Sequence, residues 1–129
     1  MWGVINVSGA VPNSNFTTSS TTYVDVTGAS ATITTTGGDV LVWFSGPGHS
    51  ATQEAQFTIN NNGSDGSQLA VLTAGGQTNL PVSLVYRLAA LAAGTYTLQL
   101  RAKVTSGGTL TMNFGSSAVG AFVVAEMKH

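Results

Sequence analysis

The sequence predicts an all-β protein, a sandwich or barrel of antiparallel strands, and three observations carry that prediction. Apolar residues recur with a period of two almost throughout, as half-buried strands require. The stretches TGGD, NNNGSDGS, TAGGQTN, AAG and SGG interrupt the alternation regularly, and their Gly, Asn and Asp residues suit tight turns. No segment carries a convincing helical pattern; LAALAAG offers a single turn at most.

Residues 1–15, MWGVINVSGAVPNSN, are expected as an N-terminal arm that pairs late or docks on a neighbour, set off by Pro12 and an Asn/Ser cluster. The main domain spans 16–129. It begins with FTTSSTTYVDVTG, where threonine, β-branched yet polar, suits a sheet that is half wet. A strand at Tyr23–Thr27 turns Val24 and Val26 to the core, and Tyr23 and Asp25 outward or towards a neighbour; another follows at Ala31–Thr35. In EAQFTIN, Ala55, Phe57 and Ile59 oppose Glu54, Gln56 and Thr58. Strands at Gln68–Thr73 and Val82–Ala89 come next. The clearest strand is TYTLQLRAKV, with Tyr96, Leu98, Leu100, Ala102 and Val104 on one face and Thr95, Thr97, Gln99, Arg101 and Lys103 on the other. TLTMNF repeats the alternation with Leu110, Met112 and Phe114.

Two segments break the rule. VLVWFSG (Val40–Gly46) and AVGAFVVAEM (Ala118–Met127) are apolar on both faces, so each needs a core on one side and a cover on the other. They are either central core strands flanked by loops or parts of a subunit interface. Charge favours the interface. Only 7% of the residues are Asp, Glu, Lys or Arg, against about 25% in an ordinary domain. Sheet edges with so few lysines lack the usual protection against pairing with other chains.

The same poverty excludes several functions. A net charge of −1 offers no basic footprint for nucleic acid. With no cysteine there is no disulfide or thiolate metal site. No apolar run suits a membrane span, and the N-terminus lacks the basic and apolar regions of a signal peptide. His49 in GPGHSATQ reads as a loop histidine, with Ser50 beside it forming no triad. The five acids are too scattered to pair for glycoside chemistry. NNNGSDGS has one full carboxylate, Asp65, and reads as a hairpin turn rather than a calcium loop. The sequons at Asn6, Asn15 and Asn62 arise readily in so Asn/Ser/Thr-rich a chain.

Four stretches, TTYVDVTGASATITTTGGDVLVWFSG, FTINNNG, VSLVYRLAALAAGTYTLQLRAK and SSAVGAFVVAEM, together resemble the trimeric jelly-roll heads of the complement-q and tumour-necrosis-factor superfamily. The chain looks closest to the versions in bacteriophage and bacterial structural proteins. The resemblance runs from about Phe16 to Met127 and rests on order and pattern. It departs from the animal heads where Ala121 and Val123 stand in place of bulky residues. It implies an antiparallel β-sandwich, a jelly roll of about ten strands, closed into a homotrimer with the inner sheets at the axis. Leu41, Trp43, Gln99, Arg101, Phe122, Val124 and Glu126 then become the expected interface, with Arg101 and Glu126 as an inter-subunit ion pair or as charges near strand ends in solvent.

The expected function is a non-enzymatic structural module of a virion, a capsid decoration or a tail or baseplate tip, with no cofactor or metal. Its partners are other copies, other virion proteins and a host-surface glycan, with no nucleic acid or membrane. Binding is expected from the end loops Gly46–Gln53 and Ala74–Leu80, through Pro47, His49, Gln53, Gln77 and Asn79. The alternative is a lectin-like sandwich that attaches to a cell surface, for which Trp2, Tyr23 and Trp43 are the available aromatics.

Overall fold

Alternation does most of the work in the computed structural model, which describes residues 3–72, 80–105, 107–114 and 120–128. Among these residues there are eleven strands and no helix. In chain order they are β1 (Gly3–Ala10), β2 (Phe16–Thr18), β3 (Val24–Thr35), β4 (Gly38–Ala51), β5 (Ala55–Asn61), β6 (Ser64–Asp65), β7 (Ala70–Leu72), β8 (Leu80–Leu91), β9 (Gly94–Val104), β10 (Leu110–Met112) and β11 (Ala121–Lys128). They form two antiparallel sheets. The first runs β1-β11-β4-β10-β2, with β8 along the other edge of β4; the second runs β3-β9-β5-β6, with β7 also on β5.

The two sheets enclose one core. Val40, Val42 and Phe44 of β4, Val82 and Leu84 of β8, and Phe122 and Val124 of β11 meet Ile33, Phe57, Ile59, Leu98 and Leu100 of the second sheet, all buried. Leu110, Met112 and Phe114 complete it, with the Phe44 and Phe114 rings edge to face at 6.2 Å. The faces expected for 55–59, 95–104 and 110–114 are the faces observed.

Three elements differ from expectation. Residues 3–10, expected within a separate arm, are a strand of the sandwich itself, paired with β11 of the same chain from Gly3↔Lys128 to Ala10↔Phe122. The strands expected at 23–27 and 31–35 are one strand with a bulge between Asp25 and Ser30. Gln99 holds that bulge: its carboxamide nitrogen donates to the carbonyls of Val26 (2.9 Å), Ala29 (3.0 Å) and Leu100 (2.8 Å). Finally, β4 continues through GPGHSA instead of ending at Gly46. Its backbone there pairs with β10, Ser50 opposite Thr111 and His49 opposite Met112. Pro47 and His49 are thus strand residues, not loop residues.

The NNNGSDGS hairpin forms as expected. Asn62 (φ 49°) and Gly63 (φ 93°) make a two-residue turn between Asn61 and Ser64. Elsewhere a glycine is required by contact. A Cβ on Gly120 would sit 2.9 Å from Phe114 Cε1 and 3.3 Å from Pro12 Cγ, and its N–H donates to Pro12 O at 3.0 Å. Gly120→Ala should therefore cost about 1–3 kcal/mol in chemical denaturation, with an unchanged m-value.

Candidate functional site

Because side chains alternate across a strand, the residues between the core positions of the first sheet define its outward face. Strand pairing sets them in rows: Val7–Ala125–Leu41–Arg87, then Gly9–Val123–Trp43–Val85, then Ala121–Ser45–Ser83. Val7 and Val85 are 65% and 59% exposed, while Leu41, Trp43 and Val123 are half-buried. This is a contiguous apolar stripe across four strands. A charged pair marks its margin: Arg87 Nε donates to Asp39 Oδ2 at 2.9 Å, and the Ala90 N–H donates to Asp39 Oδ1 at 3.0 Å. The Ala90 N–H and the Arg87 guanidinium hold the Asp39 carboxyl below its ordinary value despite partial desolvation. A shallow pocket of about 290 Å³ opens there, lined by Asp39, Leu41, Arg87 and Met127.

The sequence-expected interface divides into three. Leu41 and Trp43 lie on this outward face. Phe122, Val124 and Glu126 do not: each is fully buried inside the sandwich, so the outward residues of β11 are Ala121, Val123, Ala125 and Met127. A strand apolar on both faces carries no mark of its parity, and the choice between odd and even positions was open. Gln99 and Arg101 belong to β9 and the outward face of the second sheet. Of the expected loop residues, Gln53 is exposed at a bend after β4, while Gln77 and Asn79 lie outside the described residues.

Within the chain Arg101 and Glu126 each have partners of their own. Arg101 bridges two aspartates across the second sheet, donating from Nε to Asp25 Oδ1 (2.8 Å) and from Nη1 to Asp65 Oδ1 and Oδ2 (2.9 and 3.0 Å). Glu126 sits in a cage of neutral donors. Its carboxylate accepts from Asn6 Nδ2 (2.6 Å), from the Thr36 N–H (2.6 Å) and hydroxyl (2.8 Å), and from the Thr35 hydroxyl. Burial pushes this carboxyl up, but the hydrogen bonds from Thr35, Thr36 and Asn6 outweigh it and hold it down at about 2. One side chain thereby ties β1, β11 and the β3–β4 turn together. Asn6 and Thr36 lie 120 and 90 residues away in sequence, so no local pattern announces the cage.

No protein-family model matches the chain, and no curated protein matches it either. Among solved structures, that of Eiger TNF from S. frugiperda is similar at a TM-score of 0.55, with 14% identity over 94% of this chain and 92% of its own. Lower scores relate the chain to two carbohydrate-binding modules. The C-terminal CBM6 of a laminarinase from Zobellia galactanivorans gives 0.43, with 13% identity over 94% of this chain and all of its own. CBM6cm-2 of Cellvibrio mixtus lichenase 5A, in complex with cellotriose, gives 0.44, with 14% identity over 98% of this chain and all of its own. At such identities a likeness speaks to fold alone, and the fold is an antiparallel β-sandwich of the TNF-like jelly-roll type.

Proposed function

We propose that the protein is a non-enzymatic, self-associating jelly-roll module whose copies cover one another through the outward face of the first sheet. The observation that carries this reading is the uncovered stripe of Val7, Leu41, Trp43, Val85 and Val123. An exposed apolar patch rimmed by a neutralised ion pair is what association buries at least cost. The distribution of charge supports it. Asp25, Asp65, Arg101 and Lys103 lie on the second sheet's side, Glu126 is inside, and the charges beside the stripe, Asp39 and Arg87, pair with each other at its margin. A closed homotrimer is the assembly that the TNF-like fold suggests, and a closed ring satisfies such a face without building filaments.

Two settings suit such a module. In the lectin-like one, the assembly attaches to a glycan on a cell surface. In the other, it is a structural part of a phage particle, as a capsid decoration or tail tip. The first needs only a sugar-contacting surface on this chain, whereas the second adds a particle partner as well. The test of self-association is the solution mass over a dilution series, by light scattering or native mass spectrometry. A trimer that persists at low concentration is the expected result. A stable monomer would overturn the reading.

A further inference from the structure

The outward face of the second sheet is unlike that of the first. At one end cross-strand threonine hydroxyls meet in pairs, Thr32 with Thr97 and Thr34 with Thr95, each at 3.0 Å. Beyond the β3 bulge the face changes character. Asp25, Arg101 and Thr58 lie in one cross-strand row. Beside it Lys103 Nζ stands over the half-exposed Tyr23 ring, 4.7 Å from its centroid. Arg101 is fixed from both sides by Asp25 and Asp65, and Asp65 Oδ1 is itself held by Asn60 Nδ2 at 2.8 Å. The bonds of the guanidinium run through Nε and Nη1, which leaves Nη2 for a ligand. Asp25 is 66% exposed and engages Arg101 through one oxygen, which leaves the other oxygen available.

These are the elements of sugar recognition. A pyranose presents an apolar C–H face and a rim of adjacent hydroxyls, each both donor and acceptor. It is met by an aromatic ring beside planar polar groups whose positions are set before binding, so little further freedom is lost. The charges also select the ligand. Two aspartates balance one arginine and one lysine, so neither a polyanion nor a polycation is favoured and a neutral molecule is.

We propose that Tyr23, Asp25 and Arg101 form a binding site for a neutral hexopyranose, with Lys103 backing the Tyr23 ring from its other face. The sugar stacks on the Tyr23 face opposite Lys103, with adjacent hydroxyls held by the free oxygen of Asp25 and by Arg101 Nη2. This gives the lectin-like setting its ligand class and rests on that setting, but not on self-association, which uses the other sheet. In a closed assembly built on the first sheet these sites face outward, one per copy, so weak single-site binding adds up on a surface dense in glycans.

The test is ligand-observed NMR titration of the intact chain with a panel of glucose-, galactose- and mannose-based oligosaccharides, with solution mass measured on the same samples. At least one panel member should bind. Tyr23→Ala should weaken it at least roughly tenfold, Tyr23→Trp should retain it, and Asp25→Asn, an exposed change that spares the fold, should weaken it too. No binding by the folded chain to any panel member overturns the site, as does binding unchanged in both Tyr23→Ala and Asp25→Asn. The mass readout keeps the two ideas apart: a monomer that binds sugar retains this site and overturns self-association, and an oligomer that binds none does the reverse.

Discussion

A Glu126→Leu chain should melt roughly 10–20 °C below the parent, because leucine removes the shared acceptor of the buried Thr35 hydroxyl, the Thr36 N–H and the Asn6 amide at the junction of three elements. Glu126→Gln should lose less, since one amide oxygen still accepts from Thr36. Acid reports the same carboxylate. Its ordinary value is 4.5 and its folded value about 2. Between these limits the unfolded chain binds a proton that the folded chain refuses, so stability rises with pH there. The contribution is complete above pH 4.5 and disappears as pH falls towards 2. Asp39 and Asp65 are also held low and add slope of the same sign. The share of Glu126 is therefore the difference between the acid unfolding curves of the parent and of Glu126→Gln. Parallel curves would show that the cage contributes nothing.

The second large effect concerns association. Trp43→Arg sets a charge in the middle row of the outward stripe, between Val123 and Val85. An unpaired charge covered by another subunit is costly, and truncating a central aromatic removes contact area as well. The dissociation constant should rise at least roughly 30-fold, read by sedimentation across concentrations. The monomer itself should remain folded, because Trp43 points away from the residues that fill the sandwich. An unchanged dissociation constant would remove the stripe from the interface.

How much of this was legible in the sequence depended on whether the information was local. Leu98, Leu100, Ala102 and Val104 announce their face because Gln99, Arg101 and Lys103 stand between them. β11 offers no such contrast, and the expectation placed Phe122 and Val124 on the wrong side of it. Residues 1–15 were expected as an arm because Pro12 and an Asn/Ser cluster set them off; only β11, more than a hundred residues on, makes GVINVSGA a strand. The strands at 23–27 and 31–35 read as separate until Gln99, donating to the carbonyls of Val26 and Ala29, holds the bulge that joins them. Tyr23, Asp25, Arg101 and Asp65 illustrate the same limit. Each is visible singly, but only strand pairing and the NNNGSDGS hairpin gather them.

The placement of β11 also sets an order of events during synthesis. It lies between β1 and β4, yet it is translated well after both. Until it leaves the ribosome, β1 has no partner in the first sheet and β4 shows an open edge, so the emerging chain exposes unpaired backbone and the surface destined for the core. Pairing over so long a separation must first overcome the entropy of closing that loop, which makes it slow. The nascent chain therefore stays vulnerable to its neighbours on a polysome until its closing strand arrives. With so few charges to keep those neighbours apart, the time that strand takes to dock sets how long the unpaired edges stay open to them.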